Sequence, residues 1–207
     1  MKTHRLPPYL VFLLLPFFLL SDGWAQNLLK VVQIESVLEQ FSGDESTWPH
    51  QQTDRWCWAA SAEIIMSSYG HTAWKQCIQA DDAFPNKSLP RTCCDDPENV
   101  LCNRSNWPQF EYYGFQSTPG TLTWDQLKIQ VDHRQPVAVA VGFKQRGGGH
   151  MGVVAGYAEL EGGERLVLLV DPDGHHSGVW NLFDEIWGDS SEIWTHWRDY
   201  YDIRPLP

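Results

Sequence analysis

Basic residues are scarce in this chain. Fifteen Lys and Arg stand against 26 Asp and Glu, a formal net charge of −11 at pH 7. That balance argues against a nucleic-acid or anionic-membrane partner, because both are held by clustered positive charge. Beyond the first two dozen residues no apolar run is long enough to cross a bilayer as a helix. There are no internal repeats and no low-complexity tracts. C-x₂-C spacing is missing from the five cysteines, which argues against a zinc site. Asp171-Pro172-Asp173-Gly174-His175-His176 holds metal-capable side chains but no recognised ligand spacing, and reads as an exposed loop. No cofactor and no metal are expected.

What is present begins with Lys2 and Arg5, then the apolar run Tyr9 to Leu20, interrupted by Pro16, then Gly23-Trp24-Ala25. A basic start, a short apolar stretch and small residues at the cut describe a secretory signal peptide over residues 1–25. Cleavage after Ala25 removes Lys2, Arg5 and Asp22. The 15 basic and 26 acidic residues then become 13 and 25, a net of −12. Residues 26–207 suffice for one domain with a substantial core. The expected product is secreted, extracellular or periplasmic, and monomeric.

Export implies an oxidising compartment, where cysteines pair. Cys77, Cys93, Cys94 and Cys102 crowd together while Cys57 stands apart. An odd count in a secreted chain suggests one free thiol. Bridging adjacent Cys93 and Cys94 leaves little room for normal disulfide geometry. Two pairings stay open: Cys77–Cys93 with Cys94–Cys102, or Cys77–Cys94 with Cys93–Cys102.

Residues 26–41 form an apolar-rich lead-in, either helix or strand. From Ala59 the apolar positions Ala60, Ile64 and Ile65 recur at helical spacing, and Gly70 supplies a stop. A second short helix is expected near Ala73–Ala80, then a long stapled loop over 81–108. Thr123-Trp124-Asp125-Gln126 is a capping box opening a helix to about Asp132. Apolar strands follow at Pro136–Val141, Met151–Tyr157 and Arg165–Val170, with further strands at Gly178–Phe183 and Trp197–Ile203. The order predicts an α+β fold, with an N-terminal helical half, a C-terminal antiparallel β-sheet half and a cleft between them. Of the many tryptophans, which include Trp48, Trp56, Trp58, Trp74, Trp107, Trp124 and Trp180, most read as core filler and disulfide neighbours. Trp56 and Trp58 flank Cys57 and are candidates to shape a subsite.

Cys57 falls at or near the first residue of its helix. Unsatisfied N–H groups and the positive dipole end favour an anion there, so the thiol is expected to ionise easily. Gln51 and Gln52, just upstream, can offer an amide to the oxyanion formed when a thiolate attacks a carbonyl. His150 follows Gly147-Gly148-Gly149 at the mouth of a strand, and Asp171 ends the next strand. The start of one hairpin strand lies beside the end of the next, so His150 and Asp171 are expected to be neighbours. A base near the thiol, oriented by a third group, is the arrangement of nucleophilic catalysis. The three glycines read equally as a hairpin tip or as a place where substrate approaches the backbone.

Gln51 with Trp56-Cys57-Trp58-Ala59-Ala60-Ser61, then Gly149-His150-Met151-Gly152-Val153-Val154-Ala155-Gly156-Tyr157, then Asp171-Pro172, resemble papain-like cysteine peptidases. The resemblance spans roughly residues 48–203. It is nearest to the compact bacterial secreted branch, similar to staphopain-like and plant-pathogen effector proteases, with the double-glycine peptidases of export transporters more distant. It implies Cys57 as nucleophile, His150 as general base then acid, and Asp171 as the orienting group. It also implies Gln51, with Gln52 as the alternative, joining the Cys57 backbone N–H in an oxyanion hole. Departures are Asp54 where plant papains carry a cysteine, Asp171 where they carry Asn, and no Asn-Ser-Trp block. The separation of Cys57 and His150 is also shorter than the roughly 130–150 residues of papain itself.

The expected activity is hydrolysis of peptide bonds in a protein or peptide substrate, through a thioester acyl-enzyme. Two alternatives keep the same residues: acyl transfer to an amine, as transglutaminase-type enzymes do, and a catalytically silent binding protein. Asn86-Lys87-Ser88 and Asn103-Arg104-Ser105 fit the glycosylation sequon, which matters only in a glycosylating host.

Overall fold

In the computed structural model, residues 28–42, 48–85, 92–145, 147–174, 178–188 and 191–207 are described. The signal peptide, the Asn86 sequon and the pair His175-His176 lie outside them. A helix with no polar stripe can only be stable inside the molecule, and the helix Cys57–Ser68 (α2) is of that kind. Trp58 through Met66 are all buried, including Ser61 and Glu63. Its C-terminus is closed by a Schellman arrangement. Gly70 takes the left-handed conformation at φ +84°, Gly70 N–H donates to Ser67 O at 2.9 Å, and His71 N–H donates to Met66 O at 3.1 Å.

The lead-in is both strand and helix: Leu28–Gln33 (β1), Glu35–Leu38 (α1) and a 3₁₀ turn at Glu39–Phe41. Gln76–Ala83 (α3) lies a few residues later than the sequence suggests. Phe115–Gly120 (β2) precedes Trp124–Asp132 (α4), whose Thr123–Gln126 capping box is formed in both directions. Then come Val137–Phe143 (β3), Gly149–Leu160 (β4), Arg165–Val170 (β5), Val179–Leu182 (β6), the short helix Phe183–Trp187 (α5) and Trp194–Pro205 (β7).

The seven strands form one antiparallel sheet in the order β2-β7-β3-β4-β5-β6. β1 lies along the C-terminal half of β4, pairing Gln33 with Gly156 and Leu28 with Leu160. β3 covers the N-terminal half, pairing Val141 with His150. The result is the α+β class expected, compatible with a papain-like fold. Helix α2 packs on β4 and β3. Ser61 Oγ donates to the Met151 carbonyl at 3.2 Å, and Tyr69 Oη to the Ile203 carbonyl at 2.6 Å.

Disulfides Cys77–Cys94 and Cys93–Cys102 select the second of the two open pairings. They close the loop after α3 upon itself, and α2 holds that loop down. Trp56 Nε1 donates to the Cys102 carbonyl at 2.9 Å and Trp58 Nε1 to the Arg104 carbonyl at 3.2 Å. Among the described residues no helix is long and apolar enough to cross a membrane.

Candidate active site

Cys57 is the first residue of α2, half-buried and outside both disulfides. The preceding Trp56 makes no side-chain cap bond, and no acidic residue occupies the first turn. The orphan N–H groups and positive dipole end of the helix are therefore not neutralised by a carboxylate of the first turn.

His150 reaches this point from the sheet. It is the second residue of β4, opposite Val141 of β3. On the other side of β4, Val153 pairs with Val170, so Asp171, one residue past β5, comes level with the start of β4. His150 Nε2 lies 2.6 Å from Asp171 Oδ1. With Nε2 engaged there, Nδ1 is the ring nitrogen left for Cys57. Burial works against a charged imidazole, but hydrogen bonding and charge from Asp171 and Cys57 outweigh it, raising the His150 pKa to about 10. Burial likewise opposes the Asp171 carboxylate. The bond and charge of His150, with the Asp173 N–H at 2.9 Å from Oδ1, win and hold its pKa below the usual value. Asp171 thus favours the imidazolium and fixes which ring nitrogen faces the carboxylate, leaving Nδ1–H for the thiol.

Gln51 lines a cavity of about 460 Å³ together with His150, Asp171, Val139, Val141 and Leu169. Its backbone N–H donates to the Pro172 carbonyl at 2.8 Å, which ties it to the residue after Asp171. Gln51 Oε1 is buried and has no hydrogen-bond partner among the described residues. Gln52 is exposed and does not line this cavity. A second cavity of about 270 Å³ is lined by Cys57, Trp58, Trp107, Gly149, His150 and Trp197. His150 borders both cavities, and Cys57 the second.

Trp56 is fully buried and lines neither cavity, whereas Trp58 lines the second. Trp107 is not core filler: it is 40 % exposed and meets Trp197 edge-on at 6.2 Å. Trp180 is also exposed. The glycines bear out the hairpin-turn reading. Gly147 and Gly148 take left-handed φ values of +67° and +73° in the turn, and Gly149 faces the second cavity. A Cβ on Gly149 would stand 2.2 Å from the Trp197 ring and 2.5 Å from the Val141 carbonyl. Asp54, at the position of the plant-papain cysteine, accepts from Asn103 Nδ2 at 2.8 Å and so reaches the stapled loop without a covalent bond. Asn103 also donates to Glu98, so its amide is already engaged at that sequon.

Trp197 and Gln76 are the residues of this region that the sequence did not mark. Trp197 sits at the β-bulge where β7 shifts register against β3, and no local pattern signals a bulge.

Residues 39–200 match the model of the Peptidase_C39 like family, a span that includes Gln51, Cys57, His150 and Asp171. No curated protein matches the chain.

Proposed function

The chain belongs to the Peptidase_C39-like family, a cysteine peptidase family, and on that premise we propose that it hydrolyses peptide bonds through a Cys57–His150–Asp171 triad. The observation that carries this reading is the 2.6 Å bond from His150 to Asp171, with the other ring nitrogen left toward a free thiol at a helix start. The Cys57 thiolate attacks the scissile carbonyl carbon, and negative charge moves to the carbonyl oxygen. Gln51 Nε2–H and the Cys57 backbone N–H donate to that oxygen. As the tetrahedral species collapses, the imidazolium proton passes to the departing amine, leaving a thioester. Water then adds to the thioester carbonyl while His150 takes its proton. The acid leaves and the thiolate returns.

The same reading makes residues 1–25 a leader and 26–207 a secreted single domain. Two disulfides accord with an oxidising compartment. The short span between Cys57 and His150 supports placing the chain beside the compact secreted branch of papain-like enzymes.

The test is hydrolysis of a peptide library. Cys57→Ala is expected to lose turnover by roughly 10⁴-fold or more. An epoxide cysteine-peptidase inhibitor is expected to add one equivalent, at Cys57. Hydrolysis that persists in Cys57→Ala overturns the proposal.

A further inference from the structure

The carboxamide of Gln51 has to be held in place, yet its Oε1 makes no bond to any described residue. Its position is set by the backbone around it. Gln76, the first residue of α3 and only 2 % exposed, reaches back to that backbone with both ends of its side chain. Nε2 donates to the His50 carbonyl at 2.8 Å, and Oε1 accepts the Gln52 N–H at 2.9 Å. The two peptide groups flanking Gln51 are thus paired to one side-chain amide, as they would be to a neighbouring strand. The remaining bond is that of the Gln51 N–H to Pro172.

Gln76 is itself fixed to the nucleophile's helix. Its N–H donates to Glu63 Oε2 at 3.2 Å, and Glu63 stands in α2, the helix that Cys57 begins. The other Glu63 oxygen takes Lys75 Nζ at 2.8 Å. The next residue, Cys77, is covalently joined to Cys94. A continuous path therefore runs from α2 through Glu63 and Gln76 to the Gln51 segment, and on through Pro172 to Asp171. It joins the elements that carry the nucleophile, the oxyanion donor and the orienting carboxylate.

We infer that Gln76 is a positioning residue for the oxyanion hole, acting on the reaction only through Gln51. The inference rests on the peptidase reading above. A buried glutamine that merely satisfies loop peptides would affect folding alone. A positioning residue affects the rate of acylation and loses its effect once Gln51 is gone.

The experiment uses the full chain and a p-nitrophenyl ester as probe, with wild type, Gln51→Ala, Gln76→Met, the double variant and Cys57→Ala. Gln76→Met keeps side-chain length and removes both hydrogen bonds. The expected loss in kcat is roughly 10²-fold for Gln51→Ala and about tenfold or more for Gln76→Met. KM should be little changed, and the rate of Cys57 alkylation by iodoacetamide should equal wild type. The double variant should be no slower than Gln51→Ala. The inference is overturned if the two losses multiply, if Gln76→Met matches wild type, or if alkylation falls in step with turnover. Gln76→Asn, one methylene short, carries the same cycle should Gln76→Met fail to fold. Ester hydrolysis that survives in Cys57→Ala removes the peptidase reading and this inference together. Failure of the cycle alone leaves the triad standing.

Discussion

Against burial, the 2.6 Å bond from His150 Nε2 to Asp171 Oδ1 and the charge behind it, together with Cys57, favour the protonated form of the candidate base. The folded pKa of about 10 lies above the ordinary 6.5, so protonated His150 is favoured in the folded chain. The His150 share of the pair's stabilisation is full below pH 6.5 and is lost as pH rises toward about 10, while the Asp171 share is full above its ordinary pKa of 3.8 and is lost as pH falls below it. Expulsion of the amine needs the His150 proton, so turnover should decline on the alkaline side as His150 deprotonates. Replacing Asp171 with Asn removes the carboxylate charge while keeping a polar partner. We expect the alkaline limb of turnover to move down by a pH unit or more, with the maximal rate falling roughly 10²-fold. An unshifted limb in Asp171→Asn would mean that Asp171 does not control the imidazole. Cys57, His150 and Asp171 stand out as candidates in the sequence because each is a chemically capable residue at an element boundary, and the expected closeness of His150 to Asp171 is observed. Gln76 does not stand out. Its part comes from spanning two peptide groups 24 and 26 positions away, which nothing in its neighbours announces.

Elements differed in legibility for physical reasons. β3 and β5 show as near-continuous apolar runs, the signature of buried strands. α2 shows through its helical spacing and its glycine stop. β2, with the sequence FQSTPG, carries no such signal and is a strand because β7 pairs with it. As the terminal strand of the sheet it tolerates Pro119, whose missing N–H would break an interior ladder. α5 has five residues, too few for a period to register. The tightest link between helix and loop is Trp56, wholly buried and bonded to the Cys102 carbonyl. Trp56→Ala is expected to destabilise the chain by about 3–5 kcal/mol, from the cavity and the orphaned carbonyl together. Urea unfolding followed by circular dichroism measures this. A loss below about 1 kcal/mol would show that the loop, not the indole, carries the packing there.

At the scale of the whole molecule, the candidate reactive groups come from two regions far apart in sequence. The Cys57 helix and its stapled loop supply the sulfur, and the β3–β4–β5 hairpins supply the imidazole and carboxylate. The α+β order was readable from composition along the chain. The meeting of the halves was readable only as far as hairpin geometry reaches, to the pairing of His150 with Asp171. The flanking hollow walled by Trp107 and Trp197 joins a coil segment to a bulged strand, and depends on the assembled sheet.

The two staples are not equally sheltered. Cys93 and Cys102 are 0 % exposed, whereas Cys94 is exposed and its partner Cys77 follows Gln76 directly. Graded dithiothreitol with differential alkylation should therefore label Cys77 and Cys94 before Cys93 and Cys102. Low doses keep the Cys57 sulfur unoxidised and raise turnover, and higher doses free the start of α3 and lower it. Labelling in the opposite order, or turnover climbing steadily to complete reduction, would contradict this. On the proposed reading the working range is a redox window with two edges: the agent that revives the candidate nucleophile at one dose dismantles its surroundings at the next.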